Sequence, residues 1–199
     1  MNMLRYKKKR LVFGKIAAML SLAASIITLF LFYKYCHDAG AYELKVNPEI
    51  FISGSFGNGF IMGLDTSENV FGWATLKDGD ICIEYPGART WGTWYISVGK
   101  PTDDKEKRQY MDFSGLSKML LEVKGGKGEV VVVYLKDRDD IPDGKESRYA
   151  LKLRNDDWNT YEISLKSFAT ADVNILHIVT GFAFGPNPQT IYVRKVTFQ

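Results

Sequence analysis

From about Lys45 to the C-terminus, the chain is cut into short apolar runs, each closed by Gly, Pro, Asn or Asp. No window of a dozen residues there carries apolar positions at i, i+3, i+4 and i+7 without a turn residue inside it, so an amphipathic helix is excluded. The runs are "EIFIS", "FGWATL", "ICIEY", "WGTWYISV", "KMLLEVKG", "EVVVVYLK", "RYALKL", "WNTYEISL", "ILHIVTGFAF" and "TIYVRKVTF". Some ten strands of this length over roughly 150 residues predict an all-β sandwich spanning 49–199.

The faces of these strands follow from the two-residue period of extended chain. In "RYALKL" Tyr149, Leu151 and Leu153 fall on one side, with Arg148, Ala150 and Lys152 on the other. "WNTYEISL" sets Tyr161, Ile163 and Leu165 against Glu162 and Ser164. Two runs break the rule. "VVVVY" (Val130–Tyr134) is apolar on both faces, so one face meets the core and the other a loop, a partner or a ligand groove. "ARTWGTWYIS" (Ala88–Ser97) places Trp91, Thr93 and Tyr95 opposite Trp94 and Ile96. One set belongs to the core; Trp91 and Tyr95 are candidates for a groove, because Gly92 lowers the wall beside the indole.

The N-terminus is of another kind. Residues 1–44 carry seven basic groups and two acidic ones, whereas the rest carries 19 basic and 21 acidic. The net charge of +3 is therefore that of a basic tail, and no broad positive field exists to hold nucleic acid. After the basic residues 1–10, eighteen residues between Lys15 and Lys34 are free of charge. As helix they would span roughly 27 Å, matching the hydrocarbon core. Residues 11–35 are expected to form a signal-anchor transmembrane helix, followed by a linker at 36–48. Arg5, Lys7, Lys8, Lys9 and Arg10 would hold the N-terminus in the cytoplasm and leave the domain outside the cytoplasmic membrane. "AGA" at Ala39–Ala41 would suit a signal-peptide cleavage site, but the apolar run exceeds the usual signal core.

Cys36 and Cys82 make no disulfide framework, and His37 and His177 cannot furnish an ordinary zinc site. No nucleophile elbow and no phosphate-cradling loop occurs, and His177 sits in an apolar strand as a structural residue. The chain is read as non-catalytic.

The order "GDICIEYPGARTWGTWYISVG", "MDFSGLSKMLLEVKGGKGEVVVVYLKDRDD", "DDWNTYEISLKSF" and "TIYVRKVTF" resembles galactose-binding-like jelly rolls. That group includes carbohydrate-binding modules of the family-eleven type and the domain of the complex I intermediate-associated protein. The resemblance covers roughly residues 50–199. It implies a jelly-roll β-sandwich with ligands on the concave sheet face or rim loops, and a packing role for Trp158 and for Asp112–Gly125. It also implies a structural calcium ion with an aspartate in the last strand. This chain has Arg194 and Lys195 there, so it departs from the calcium pattern. The loop "DRDDIPDGKE" lacks the spacing of a calcium loop and is expected to be a solvated turn.

A sugar site needs a flat aromatic ring beside polar, fork-like side chains. Trp91, Tyr95, Tyr134, Asp137 and Arg148 can supply that mixture, with Lys136, Lys152 and Phe182 expected nearby. The expected partners are a polysaccharide or cell-envelope glycan, plus the lipid bilayer through the N-terminal helix. The alternative is a module that docks a protein partner at the membrane.

Overall fold

The computed structural model describes Thr28, Glu43–Leu44 and residues 48–88, 90–140 and 146–199. The chain divides at Gly40 into two units, and the second, Ala41–Gln199, carries the fold that follows. The helix expected at 11–35 lies outside the described residues except for Thr28, which is helical. Among the described residues, no helix is long and apolar enough to cross a membrane.

The strands are β1 (Glu43–Leu44), β2 (Glu49–Ile52), β3 (Ser55–Phe56), β4 (Phe60–Thr66), β5 (Ala74–Lys77), β6 (Asp80–Tyr85) and β7 (Gly92–Val98). They continue with β8 (Tyr110–Met111), β9 (Lys118–Gly125), β10 (Val130–Asp137), β11 (Ser147–Lys152), β12 (Asn159–Ser164), β13 (Leu176–Phe184) and β14 (Gln189–Phe198). Nine of the ten predicted runs form strands at or within a residue or two of their expected ends. The exception is "FGWATL", whose strand begins only at Ala74 because Gly72 takes φ +82° and Trp73 turns inward. The glycine-rich segment before it, "GSFGNGFIMG", which is not among the predicted runs, supplies β3 and most of β4.

Two antiparallel sheets result. The first runs β4–β7–β13–β10–β11, with β8 beside β13 past the end of β7 and β1 parallel to β8. The second runs β12–β9–β14 and then splits, β14 pairing with β6 over one half and with β2 over the other. Strands adjacent in space are distant in sequence, as in a jelly roll.

The inner faces meet in one apolar core. Trp94, Ile96 and Val98 of β7 and Val131, Val133 and Leu135 of β10 are sealed from one side. From the other come Ile81 and Ile83 of β6, Leu121 and Val123 of β9, and Ile191, Val193 and Val196 of β14. Trp94 packs on Phe182 at 5.1 Å between ring centroids, and Tyr85 stacks on Phe184 at 4.8 Å. Phe182, expected near the ligand, is thus core, because its parity on β13 points it between the sheets. Trp158 departs from expectation the other way. It is partly exposed just before β12, and the Arg194 guanidinium lies 3.9 Å from its ring centroid on the outer face of the second sheet.

Candidate functional site

The outer face of the first sheet is built from the residues its inner face leaves over. On β10 these are Val132, Tyr134 and Lys136; on β7, Thr93 and Tyr95; on β13, Ile178, Gly181 and Ala183. The small residues sit in the centre, so the sheet forms the bottom of a groove of about 940 Å³. That is the size of a pocket for a small organic ligand. The doubled apolar face of "VVVVY" is accounted for: Val131 and Val133 face the core, while Val132 and Tyr134 floor the groove.

One row of residues crosses five strands. Arg148 of β11 pairs with Tyr134, Tyr134 with Gly181, Gly181 with Tyr95, and Tyr95 with Gly63 of β4. Tyr134 is only 3 % exposed, and its hydroxyl is hydrogen-bonded to the Thr93 side chain. Burial pushes its phenol far above the ordinary range. Tyr95 is half-buried, and burial and then the nearby Asp65 carboxylate raise its pKa too. Both phenols therefore stay protonated at neutral pH and can donate as well as accept.

The two ends of the groove differ. At one end Thr90, Trp91, Asp65, Phe184 and Gly185 form the rim, and Trp91 keeps 43 % of its surface exposed. At the other, Pro101–Asp103, Arg108, Lys136 and His177 close the wall. Arg108 is buried there as a clamp. Its Nε donates to the Thr102 carbonyl at 2.9 Å, and its Nη1 to the carbonyls of Arg138, at 2.9 Å, and Asp140. The His177 ring is buried, with Nδ1 2.8 Å from the Gln109 carbonyl it donates to. Burial, assisted by the positive charges of Arg108 and Lys136, lowers its pKa despite that hydrogen bond, so the ring is neutral at pH 7. Glu146 and Arg148 pair at 2.9 Å on the β11 side.

Trp91, Tyr95, Tyr134 and Arg148 of the expected site come together here. Asp137 does not. It follows Lys136 on β10 with the opposite parity, is 7 % exposed, and spends its carboxylate on backbone amides. Oδ1 accepts from Asp139 and Asp140 at 2.9 and 3.0 Å, and Oδ2 from Asp172 at 3.1 Å. The start of the acidic loop is thus an organised turn rather than a solvated one. Lys152, also expected nearby, does not line the groove. Asp65, Glu146 and Arg108 do line it and were not anticipated. Asp65 lies on β4, between the predicted runs, and Glu146 and Arg108 reach the site from loops whose placement no local pattern encodes.

The residues at the expected calcium position do not fit a cation. Arg194 on β14 donates from Nε and Nη2 to the two carboxylate oxygens of Asp80 at 3.1 and 3.3 Å, and its Nη1 lies 3.7 Å from Glu122. A guanidinium already neutralises the carboxylates that a metal would need. Among the described residues, no cluster of three or more His, Cys, Asp or Glu side chains is arranged to hold a metal ion.

A twisted antiparallel sandwich with an aromatic-floored groove on one outer face places this domain among the jelly rolls built like carbohydrate-binding modules. No protein-family model and no curated protein matches the chain. Among solved structures it is similar to the family 11 carbohydrate-binding module of Clostridium thermocellum in complex with a β-1,3-1,4-mixed-linked tetrasaccharide. The identity is 16 %, over 75 % of this chain and 94 % of that one, with a TM-score of 0.49. A family 30 carbohydrate-binding module of a Clostridium thermocellum cellulosomal cellulase shares 15 % identity, over 78 % and 94 % of the two chains, at 0.45. An agarase shares 8 % identity over 77 % of this chain and 26 % of its own length, with a TM-score of 0.51. At such identities, likeness concerns the fold, and the groove must be read from its own residues.

Proposed function

We propose that residues 49–199 are a non-catalytic carbohydrate-binding module and that its site is the groove over β7, β13 and β10. The observation that carries this reading is the pairing of accessible rings with polar groups. Trp91 and Tyr95 offer ring faces, while Asp65, the Glu146–Arg148 pair and two phenol hydroxyls offer donors and acceptors beside them. Sugars present exactly opposed needs, apolar C–H faces and hydroxyl edges. A protein-docking surface would instead call for a flat apolar patch, and this site is concave with a mixed lining.

In the full chain, residues 11–35 would anchor the module in the cytoplasmic membrane with the domain outside, where many tethered copies would act together on one polymer. A polysaccharide or cell-envelope glycan is the partner expected of such an arrangement. The full chain in detergent micelles, applied to a glycan array, should retain a defined subset of glycans. Trp91→Ala should abolish that retention while shifting the melting temperature by no more than a degree or two, since a rim side chain adds little to the core. Absence of any glycan signal, with one protein captured reproducibly by cross-linking in native membranes, would overturn the reading in favour of a docking module.

A further inference from the structure

The floor of the groove depends on two glycines that no backbone conformation demands. Neither Gly63 nor Gly181 takes a positive φ, so neither is needed for a turn. What each provides is room. A β-carbon on Gly63 would lie 2.4 Å from Cε2 and Cζ of Tyr95, and one on Gly181 would lie 2.3 and 2.4 Å from Cε1 and Cζ of Tyr134. Real β-carbons essentially never come within 3.0 Å of a neighbour. The atoms met are at the far end of each ring. Side chains on a strand normally stand roughly perpendicular to the sheet. These two phenols instead lie down over the glycine of the next strand. Both lean the same way, toward β4, and the Tyr134 hydroxyl reaches Thr93 two strands from its own.

We propose that Gly63 and Gly181 are positioning residues of the groove. They hold Tyr95 and Tyr134 flat, so the floor is low and the half-buried Tyr95 presents its ring face while Tyr134 lies sealed beneath the surface, and any side chain there lifts a phenol into the space a ligand would occupy. The consequence for binding rests on the glycan reading above; the posture of the rings does not. A flat floor admits a chain that lays its sugar rings face down, whereas upright rings would leave only a narrow slot. A ring against a glycine is not by itself a site: across the core, Tyr85 of β6 in the second sheet packs on Gly92 of β7 in the first, 2.3 Å from where a β-carbon would lie, and there it only fills space. The test must therefore separate packing from positioning.

Two measurements on the full chain in micelles do so. In the first, no glycan is present. A ring lying over a glycine shifts that residue's α-protons upfield, so Gly63 and Gly181 should show strongly displaced α-proton resonances. Tyr95→Leu should return Gly63 to its ordinary position, and Gly63→Ala should leave the Tyr95 ring more open to a soluble paramagnetic agent. Ordinary glycine shifts, or an unchanged Tyr95 response, would overturn the proposal whether or not any glycan binds. In the second, a soluble mixed-linkage β-1,3-1,4-glucan is the probe. Gly63→Ala should weaken binding by about ten-fold or more, and Gly63→Ala/Tyr95→Ala should bind no worse than Tyr95→Ala alone. Additive losses would mean that Gly63 acts apart from the ring and would overturn the positioning role. Failure of the unaltered chain to bind any glycan on the array counts against the carbohydrate reading and leaves the α-proton shifts to decide the posture.

Discussion

Trp94 and Tyr95 are covalent neighbours that work on opposite sides of one sheet, and what each costs to lose follows from that. Trp94 is sealed against Phe182, so its truncation would open a cavity. Tyr95→Ala removes a groove face and should weaken glycan binding by about ten-fold or more, still measurably, at a stability cost of about 1 kcal/mol, read from urea titration. Asp137 gives the converse result. Its carboxylate accepts three partly buried backbone amides and so ties the turn after β10 to the segment before β13, a tie that Asp137→Ala removes. It should destabilise the domain by about 1–3 kcal/mol in the same titration, while the surviving folded fraction keeps its glycan affinity. A residue first placed at the site by its chemistry is thus predicted to matter for folding alone.

At the scale of elements, the groove wall is held by Arg108, which joins the loop after β7 to the turn after β10 through carbonyl acceptors on both. A lysine carries the charge but cannot fork between two segments. Arg108→Lys should therefore cost about 1–3 kcal/mol. Amide hydrogen exchange should accelerate together over residues 100–108 and 138–140, and leave β9 and β14 protected. Exchange that speeds up uniformly over both sheets would show that Arg108 supports the whole core rather than this wall.

At the scale of the molecule, the neutral His177 ties stability to pH. Its pKa is lowered in the folded state, so as the pH falls the unfolded chain takes up the proton first. Stability is then fullest above the ordinary histidine value of about 6.5 and declines as the pH drops through it toward the lower folded value. Urea midpoints compared between about pH 7.5 and pH 5 should fall for the native chain, and His177→Gln should flatten that part of the slope. Equal slopes in both proteins would assign the pH dependence to other groups. For the full chain, an N-terminal anchor predicts that the protein stays with the membrane pellet through alkaline carbonate extraction, and release into the supernatant would count against residues 11–35 as a span.

The local pattern by itself determined the positions of nine strands, the all-β class and the burial of Tyr161, Ile163 and Leu165, because a two-residue period and turn residues are properties of neighbouring positions; it missed β4, whose glycines mask that period. It also isolated Trp91, Tyr95 and Tyr134 as rings in excess of what one core face needs. Only the tertiary structure decided which of the leftover groups meet. Register across β11–β10–β13–β7–β4 aligned Arg148, Tyr134, Gly181, Tyr95 and Gly63, and long-range loop placement brought Glu146 and Arg108 to the rim. The same long-range pairing removed Asp137 and Phe182 from the site and put Trp158 over Arg194. Those outcomes depend on which strands hydrogen-bond across gaps of tens of residues, and no window of the chain contains that information.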